Sequence, residues 1–167
     1  MFSILLLFAC IFSFSQKAEG DLVHWKTIQQ ADSLQKAGDK RMIYADIYAD
    51  WCGPCKMMDK DTFHNQEVAD YLNQNFIPVK FNAETKEDVV FKGRVHKFVN
   101  VGQKGINALT FFLLNGNVRY PSGALVDSYG NTLIVIAGYF DSQTFLPGMV
   151  EIKEQLQKFL DAREDLP

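Results

Sequence analysis

From Leu22 onward the chain alternates short apolar runs with segments of helical period. Leu22–Trp25 is a brief apolar start. Thr27-x-x-Gln30 has the spacing of a capping box, and Ile28, Ala31 and Leu34 then share one helical face that Gly38 closes. Met42–Tyr48 predicts a strand, apolar except for Asp46. A helix is expected from Cys52 to about Asp61, broken around Thr62–Asn65 and resumed through Val68 and Leu72. Phe76–Phe81 predicts a second strand. Val89–Phe91 and Val95–Val99 flank Lys92-Gly93-Arg94 and predict two short strands joined by a turn. Ile106, Leu109, Phe112 and Leu113, closed by Gly116, predict a helix, with Phe111-Phe112-Leu113-Leu114 most simply assigned to the core. Gly123–Val126 and Thr132–Ala137 surround Asp127-Ser128-Tyr129-Gly130-Asn131, a hairpin signal. A last helix runs to about Ala162, with its start obscured by Pro147. This order predicts an α/β fold with a mixed sheet covered on both faces.

The first residues do not fit that pattern. Met1–Phe14 carries no charge, and Phe2–Phe12 is an almost unbroken apolar run, too short to span a membrane, which takes about 20 residues. Small residues at Ser13 and Ser15, followed by polar Gln16–Gly20, are what a secretory signal requires, with cleavage between Ser15 and Gln16. The rival reading is cleavage before a lipid-bearing Cys10, against which Phe8 is bulky where such sites take small residues. The expected organisation is a signal peptide over 1–15 and one domain over 16–167, exported to the periplasm and without an integral membrane segment.

Composition narrows the function. With 17 Lys+Arg against 20 Asp+Glu and no basic run, nothing attracts nucleic acid or an anionic membrane. Three cysteines exclude a disulfide-stapled miniprotein, and His24, His64 and His96 are too scattered for a local metal motif. His96 falls in the 84–105 stretch and is expected at the surface.

The chemistry concentrates in Trp51-Cys52-Gly53-Pro54-Cys55, directly after a strand and opening a helix. Cysteines at i and i+3 on a helix lie roughly 5–6 Å apart at Cβ, close enough to bridge. Cys52 would sit at the helix N-terminus, where free N–H groups and the helix dipole stabilise a thiolate, with Cys55 one turn inside. Pro54 suits a first turn, and Gly53 permits close approach of a partner chain. Half a zinc site has the same spacing, but with no second cysteine pair it would have to be completed by another molecule. An inert structural bridge is also possible, although closing a two-residue gap constrains little chain entropy. Asp46, a lone carboxylate in an apolar strand, should have a raised pKa and could act as general base; a strand-end Asp in solvent is the alternative.

At this string the sequence resembles the thioredoxin superfamily, whose WCGPC site it matches residue for residue. The pattern from Val23-His24-Trp25 to about Leu160 is similar to exported thioredoxin-like proteins of bacteria, in which Trp-Cys-x-x-Cys-Lys is followed by Met and then Thr-Phe. Lys56, Met57 or Met58, Thr62 and Phe63 occupy those places here. The resemblance implies a thioredoxin-like fold with a hairpin inserted around 88–99, within an insertion over 84–105. It implies that Asp46 handles protons for the inner cysteine and that Lys80 pairs with Asp46 across neighbouring strands; taken alone, Lys80 fits a solvated edge residue as well. It places Pro121, between Tyr120 and Ser122, in the cis-proline loop that faces the cysteines and pairs with substrate backbone. The proline that kinks the active-site helix in many thioredoxins is replaced by Lys60, which leaves that kink open.

The implied activity is thiol–disulfide exchange, with Cys52 as nucleophile, Cys55 as resolving thiol, and Trp51, Gly53, Pro54, Tyr120, Pro121 and Ser122 lining the substrate. Reduction is the expected direction, because Gly-Pro between the cysteines resembles reducing members. The implied partners are disulfide-containing proteins and an upstream thiol or membrane electron donor. No cofactor is needed beyond the Cys52–Cys55 pair. The alternatives are a thioredoxin-fold module that binds proteins or peptides without catalysis, and a metal carrier.

Overall fold

The computed structural model describes residues 21–101 and 104–164; the proposed signal peptide and Cys10 lie outside them. The capping box forms: Thr27 Oγ1 accepts from Gln30 N while Gln30 Oε1 accepts from Thr27 N, opening α1 (Ile28–Lys36). The central sheet holds β1 (Met42–Tyr48), β2 (Phe76–Asn82), β7 (Ser122–Val126) and β8 (Thr132–Ala137) in the order β2-β1-β7-β8. Strand β1 runs parallel to β2 and antiparallel to β7, so it is enclosed on both edges. That position requires the continuous apolar run seen in its sequence. Pro78, which cannot donate to a ladder, stands in β2 at the sheet edge.

Strand alternation divides the core into two layers. Ile43, Ala45 and Ile47 of β1 point to one face, with α1 and α4 (Ala108–Leu113) packed over them through Ile28, Ala31, Leu109 and Leu113. Tyr44 points to the other face, against Val68 and Leu72 of α3 (Gln66–Asn75) and Phe145 and Met149 of α5 (Ser142–Glu164). Met58 of α2 (Gly53–Met58) joins that second layer. Asp46 therefore lies on the face that the cysteine-bearing helix covers.

Four local features depart from the pattern expected of the sequence. The insertion contains two hairpins rather than one: β3 (Val89–Phe91) with β4 (Arg94–His96), and β5 (Phe98–Val101) with β6 (Lys104–Asn107). The expected strand Val95–Val99 breaks at Lys97, because its carbonyl accepts from Ala108 N and that of His96 from Asn107 Nδ2. The first hairpin turns on Lys92 and Gly93, both at positive φ (50° and 75°), the conformation a tight two-residue turn requires. Asn107 caps α4 by accepting from Leu109 N, so that helix starts after Ile106 rather than at it.

Phe112 is 42% exposed, not core, since the buried side of α4 is taken by Leu109, Thr110 and Leu113. Where the kinking proline is missing, the helix relaxes into a π-helical turn over Asp59–Phe63, with His64 N bonding to Asp59 O. The C-terminal helix accommodates Pro147 inside its second turn and starts at Ser142, with Asp141 Oδ1 accepting from Thr144 N.

Candidate active site

Cys52 is the N-cap of α2, in extended conformation, and its Sγ accepts from Cys55 N at 3.2 Å. The two sulfurs are bonded, with Cα atoms 5.3 Å apart. Pro54 falls in the first turn, where no intrahelical donor is lost. Gly53 and Pro54 are exposed beside the pair. The cysteines themselves are covered: Cys52 is 2% and Cys55 5% exposed, packed with Ala49 under Tyr48 and Tyr120. Trp51 stands out at 57% exposure, its ring edge-on to Tyr120 at 5.8 Å and its Nε1 donating to Glu84 Oε1 at 2.9 Å.

The Tyr120–Pro121 peptide bond is cis. Pro121 and Ser122 are buried, and Ser122 Oγ and Tyr120 Oη have no hydrogen-bond partner among the described residues. Burial first, and the charge of Glu84 second, push the Tyr120 hydroxyl up to about 12. A neutral phenol with an unused donor thus lies over the disulfide.

Behind the pair sits a buried ionic group. Asp46 and Lys80 are register partners on β1 and β2, and Lys80 Nζ lies 3.0 Å from Asp46 Oδ2. Asp46 is 3% exposed; burial raises its pKa to about 6, with Lys80 pulling it down and Asp59 pushing it up. Lys80 also donates to Asp59 Oδ1, and its ammonium faces the rings of Trp25, Tyr48 and Phe63 at 5.0–5.4 Å. Burial works against the Lys80 charge, but the two carboxylates outweigh it and its pKa rises. A cavity of about 240 Å³, lined by Asp21, Trp25, Asp59, Phe63, His64 and Lys80, connects this group to solvent.

Lys80 thus joins Asp46 to Asp59, the residue that follows α2, while Tyr120 packs on the cysteines and carries the Trp51 ring edge-on, with Pro121 and Ser122 following it in the chain. Sequence reasoning missed Asp59 and Glu84. Asp59 was detectable, standing four residues after Cys55 and so one turn along the same helical face. Glu84 had no local signal, because its approach to Trp51 is set by the exit from β2. His96, unassigned in sequence except to the surface, sits against the Phe112 ring at 6.1 Å. Among the described residues no group of acids, histidines and cysteines could hold a metal ion, and no helix is long and apolar enough to cross a membrane.

The family model described as Thioredox_DsbH, protein of unknown function, DUF255, matches residues 9–165. Thioredoxin-T of Drosophila melanogaster is 30% identical over 76 residues, 45% of this chain and 46% of that protein. The thiol:disulfide interchange protein DsbD of Vibrio vulnificus is 37% identical over 65 residues, 36% of this chain and 11% of that protein. The chain thus spans less than half the length of either. A thioredoxin from Thermus thermophilus has a similar structure, with a TM-score of 0.56 at 15% identity, covering 78% of this chain and 86% of that one. The fold is that of the thioredoxins, with a disulfide across the Cys-x-x-Cys pair.

Proposed function

The chain belongs to the Thioredox_DsbH family, and on that premise we propose that it is a thiol–disulfide oxidoreductase that reduces protein disulfides in the periplasm. The observation that carries this reading is the buried Asp46–Lys80 pair beneath a helix whose N-terminus is Cys52. The Cys52 thiolate attacks one sulfur of a substrate disulfide, forming a mixed disulfide and releasing the other substrate sulfur as thiolate. Cys55 then loses its proton to Asp46 and attacks Cys52 Sγ. The second substrate thiolate departs, and the two electrons it carries leave Cys52 and Cys55 joined. Tethering speeds this second step, since an intramolecular thiol acts at high effective concentration.

Lys80 holds Asp46 in place and balances its charge. Trp51, Gly53, Pro54, Tyr120, Pro121 and Ser122 form the surface against which a substrate strand lies; the unpaired Ser122 Oγ and Tyr120 Oη support that assignment. Residues 1–15 act as the signal peptide, and cleavage before Gln16 leaves the domain 16–167 without lipid at Cys10. An upstream thiol or a membrane electron donor restores the dithiol.

The near-complete cover of Cys52 is the observation that favours the second reading, a thioredoxin-fold binding module. Among the described residues the apolar cover comes from Tyr48 and Tyr120, however, rather than from the inserted hairpins. Aromatic side chains on such a rim can swing aside without unfolding an element. Dithiothreitol-driven insulin reduction separates the readings: turnover lost in Cys52→Ser supports the enzyme, and no turnover above background in the native sequence overturns it.

A further inference from the structure

The oxidised pair is a reaction centre whose exposed border is aromatic and acidic. Cys52 and Cys55 are almost fully covered, so an attacking thiolate must reach Cys52 past Tyr48 and Tyr120, the latter with the Trp51 ring set edge-on against it. Glu84 is fixed on that border by the 2.9 Å bond from Trp51 Nε1, which leaves its second carboxylate oxygen free of any hydrogen bond to the protein among the described contacts. Among the described residues no lysine or arginine forms an ion pair with Glu84. Its field reaches the Tyr120 hydroxyl, which packs over the sulfurs. Asp50, the neighbour of Trp51, adds a second carboxylate, held by Asn82 Nδ2 at 3.1 Å.

We propose that Glu84 is a specificity-determining residue, which makes the Cys52–Cys55 disulfide select its reductant by charge, favouring neutral or cationic thiols over anionic ones. This rests on the oxidoreductase reading and names the class of electron donor for the same site. The reaction is ordinary exchange. A thiolate RS⁻ bonds to Cys52 Sγ and expels Cys55 as thiolate, which takes up a proton. A second RS⁻ displaces Cys52, and the donor leaves as RSSR, having supplied two electrons. A thiolate already carries one negative charge where it reacts. A second negative group behind it must come into the field of Glu84 and Asp50, and the rate of encounter falls. For unit charges about 8 Å apart at a partly solvated surface, the penalty is roughly fivefold in rate.

The test compares reduction of the oxidised protein by 2-mercaptoethanol and by 2-mercaptoethanesulfonate, followed by acid quench, alkylation and mass spectrometry. Rates are normalised to thiolate concentration, and the quantity read is the ratio of sulfonate to neutral rate. Glu84→Gln should raise that ratio about fivefold at low ionic strength, and about 1 M salt, where the screening length is near 3 Å, should raise the ratio of the native sequence similarly. Glu87→Gln, an exposed carboxylate three residues further on, should leave the ratio where it was. An unchanged ratio in Glu84→Gln, or an equal rise in Glu87→Gln, overturns the proposal. Failure of the enzyme reading shows elsewhere, as absent insulin turnover with the charge ratio intact.

Discussion

Replacing Asp46 by Asn should make the protein more stable at neutral pH while slowing its chemistry, and both effects have a calculable size. Folded Asp46 has a pKa of about 6, against an ordinary value of 3.8, because its carboxylate is buried. Between those values the folded chain keeps a proton that the unfolded chain has released. Stability therefore falls as pH rises above 3.8, and the loss is complete above about 6. Two units at 1.36 kcal/mol each give about 3 kcal/mol, and asparagine escapes that penalty. The attraction to Lys80 is present only when Asp46 is ionised and is already contained in that pKa, so its loss in the variant is not added a second time. Urea unfolding of the oxidised protein between pH 4 and 8 should show the stability difference moving in favour of Asp46→Asn by about 2–3 kcal/mol from the acid to the neutral end. In single-turnover assays, resolution of the mixed disulfide should slow by about 10²-fold, with the first attack by Cys52 little changed. A stability difference that is flat with pH would refute the buried-carboxylate reasoning. Resolution at the unmutated rate would refute the proton route.

Other expectations follow from the same geometry. Cys55→Ser should accumulate mixed disulfides with substrates and Cys52→Ser should not, as non-reducing gels with mass spectrometry would show; equal trapping by both would reverse the assignment. Asp59→Asn removes a charge that raises the Asp46 pKa, so the pH profile of resolution should move to lower pH; an upward shift would mean Asp59 acts through Lys80 alone. Gly123→Ala should cost about 1–3 kcal/mol in urea unfolding, because a Cβ there would come within 2.9 Å of Tyr44 Cε2, a ring packed on three sides by Phe63, Phe76 and Phe145. Mass spectrometry of exported protein should find Gln16 as the first residue, and a lipid-bearing Cys10 would contradict the proposed signal.

The sheet and its helices were legible because periodicity carries burial directly. The apolar stretch Met42–Tyr48 forms the strand it predicts, and Thr27-x-x-Gln30 announced its helix through a capping box that forms as written. The insertion was less legible. Its strands are three or four residues long, and Val90, Val95, Val99 and Val101 are exposed, so hydrophobicity there does not report burial. The boundary at Asn107 depends on one side chain that bonds Glu87 O and His96 O as well as Leu109 N, and no local pattern encodes contacts across 11 and 20 residues. In the site, the cysteine pair and Asp46 stood out by residue type alone. Asp59 did not stand out by residue type, although its place four residues after Cys55 on α2 offered a helical-spacing signal, and the π-helical turn that begins at it has no local signature in the sequence.

That π-helical turn also connects the fold to the chemistry. Asp59, its first residue, accepts at its backbone carbonyl from His64 N and at its carboxylate from Lys80, which in turn holds Asp46. An isolated Asp46–Lys80 pair would leave one cation shared with one buried carboxylate, and Asp46 would lean towards its charged form. Burial is the main reason Asp46 keeps a pKa near 6 despite a lysine 3.0 Å away, and the second carboxylate on the same ammonium adds to it. The three rings around Lys80 keep the cation in place, with water reaching it from one side, the cavity lined by Asp59 and His64. In the proposed role, a base that accepts a proton from Cys55 and returns it to solvent needs both a pKa near the working pH and a polar exit. The helix that carries the cysteines brings Asp59 to supply a part of each.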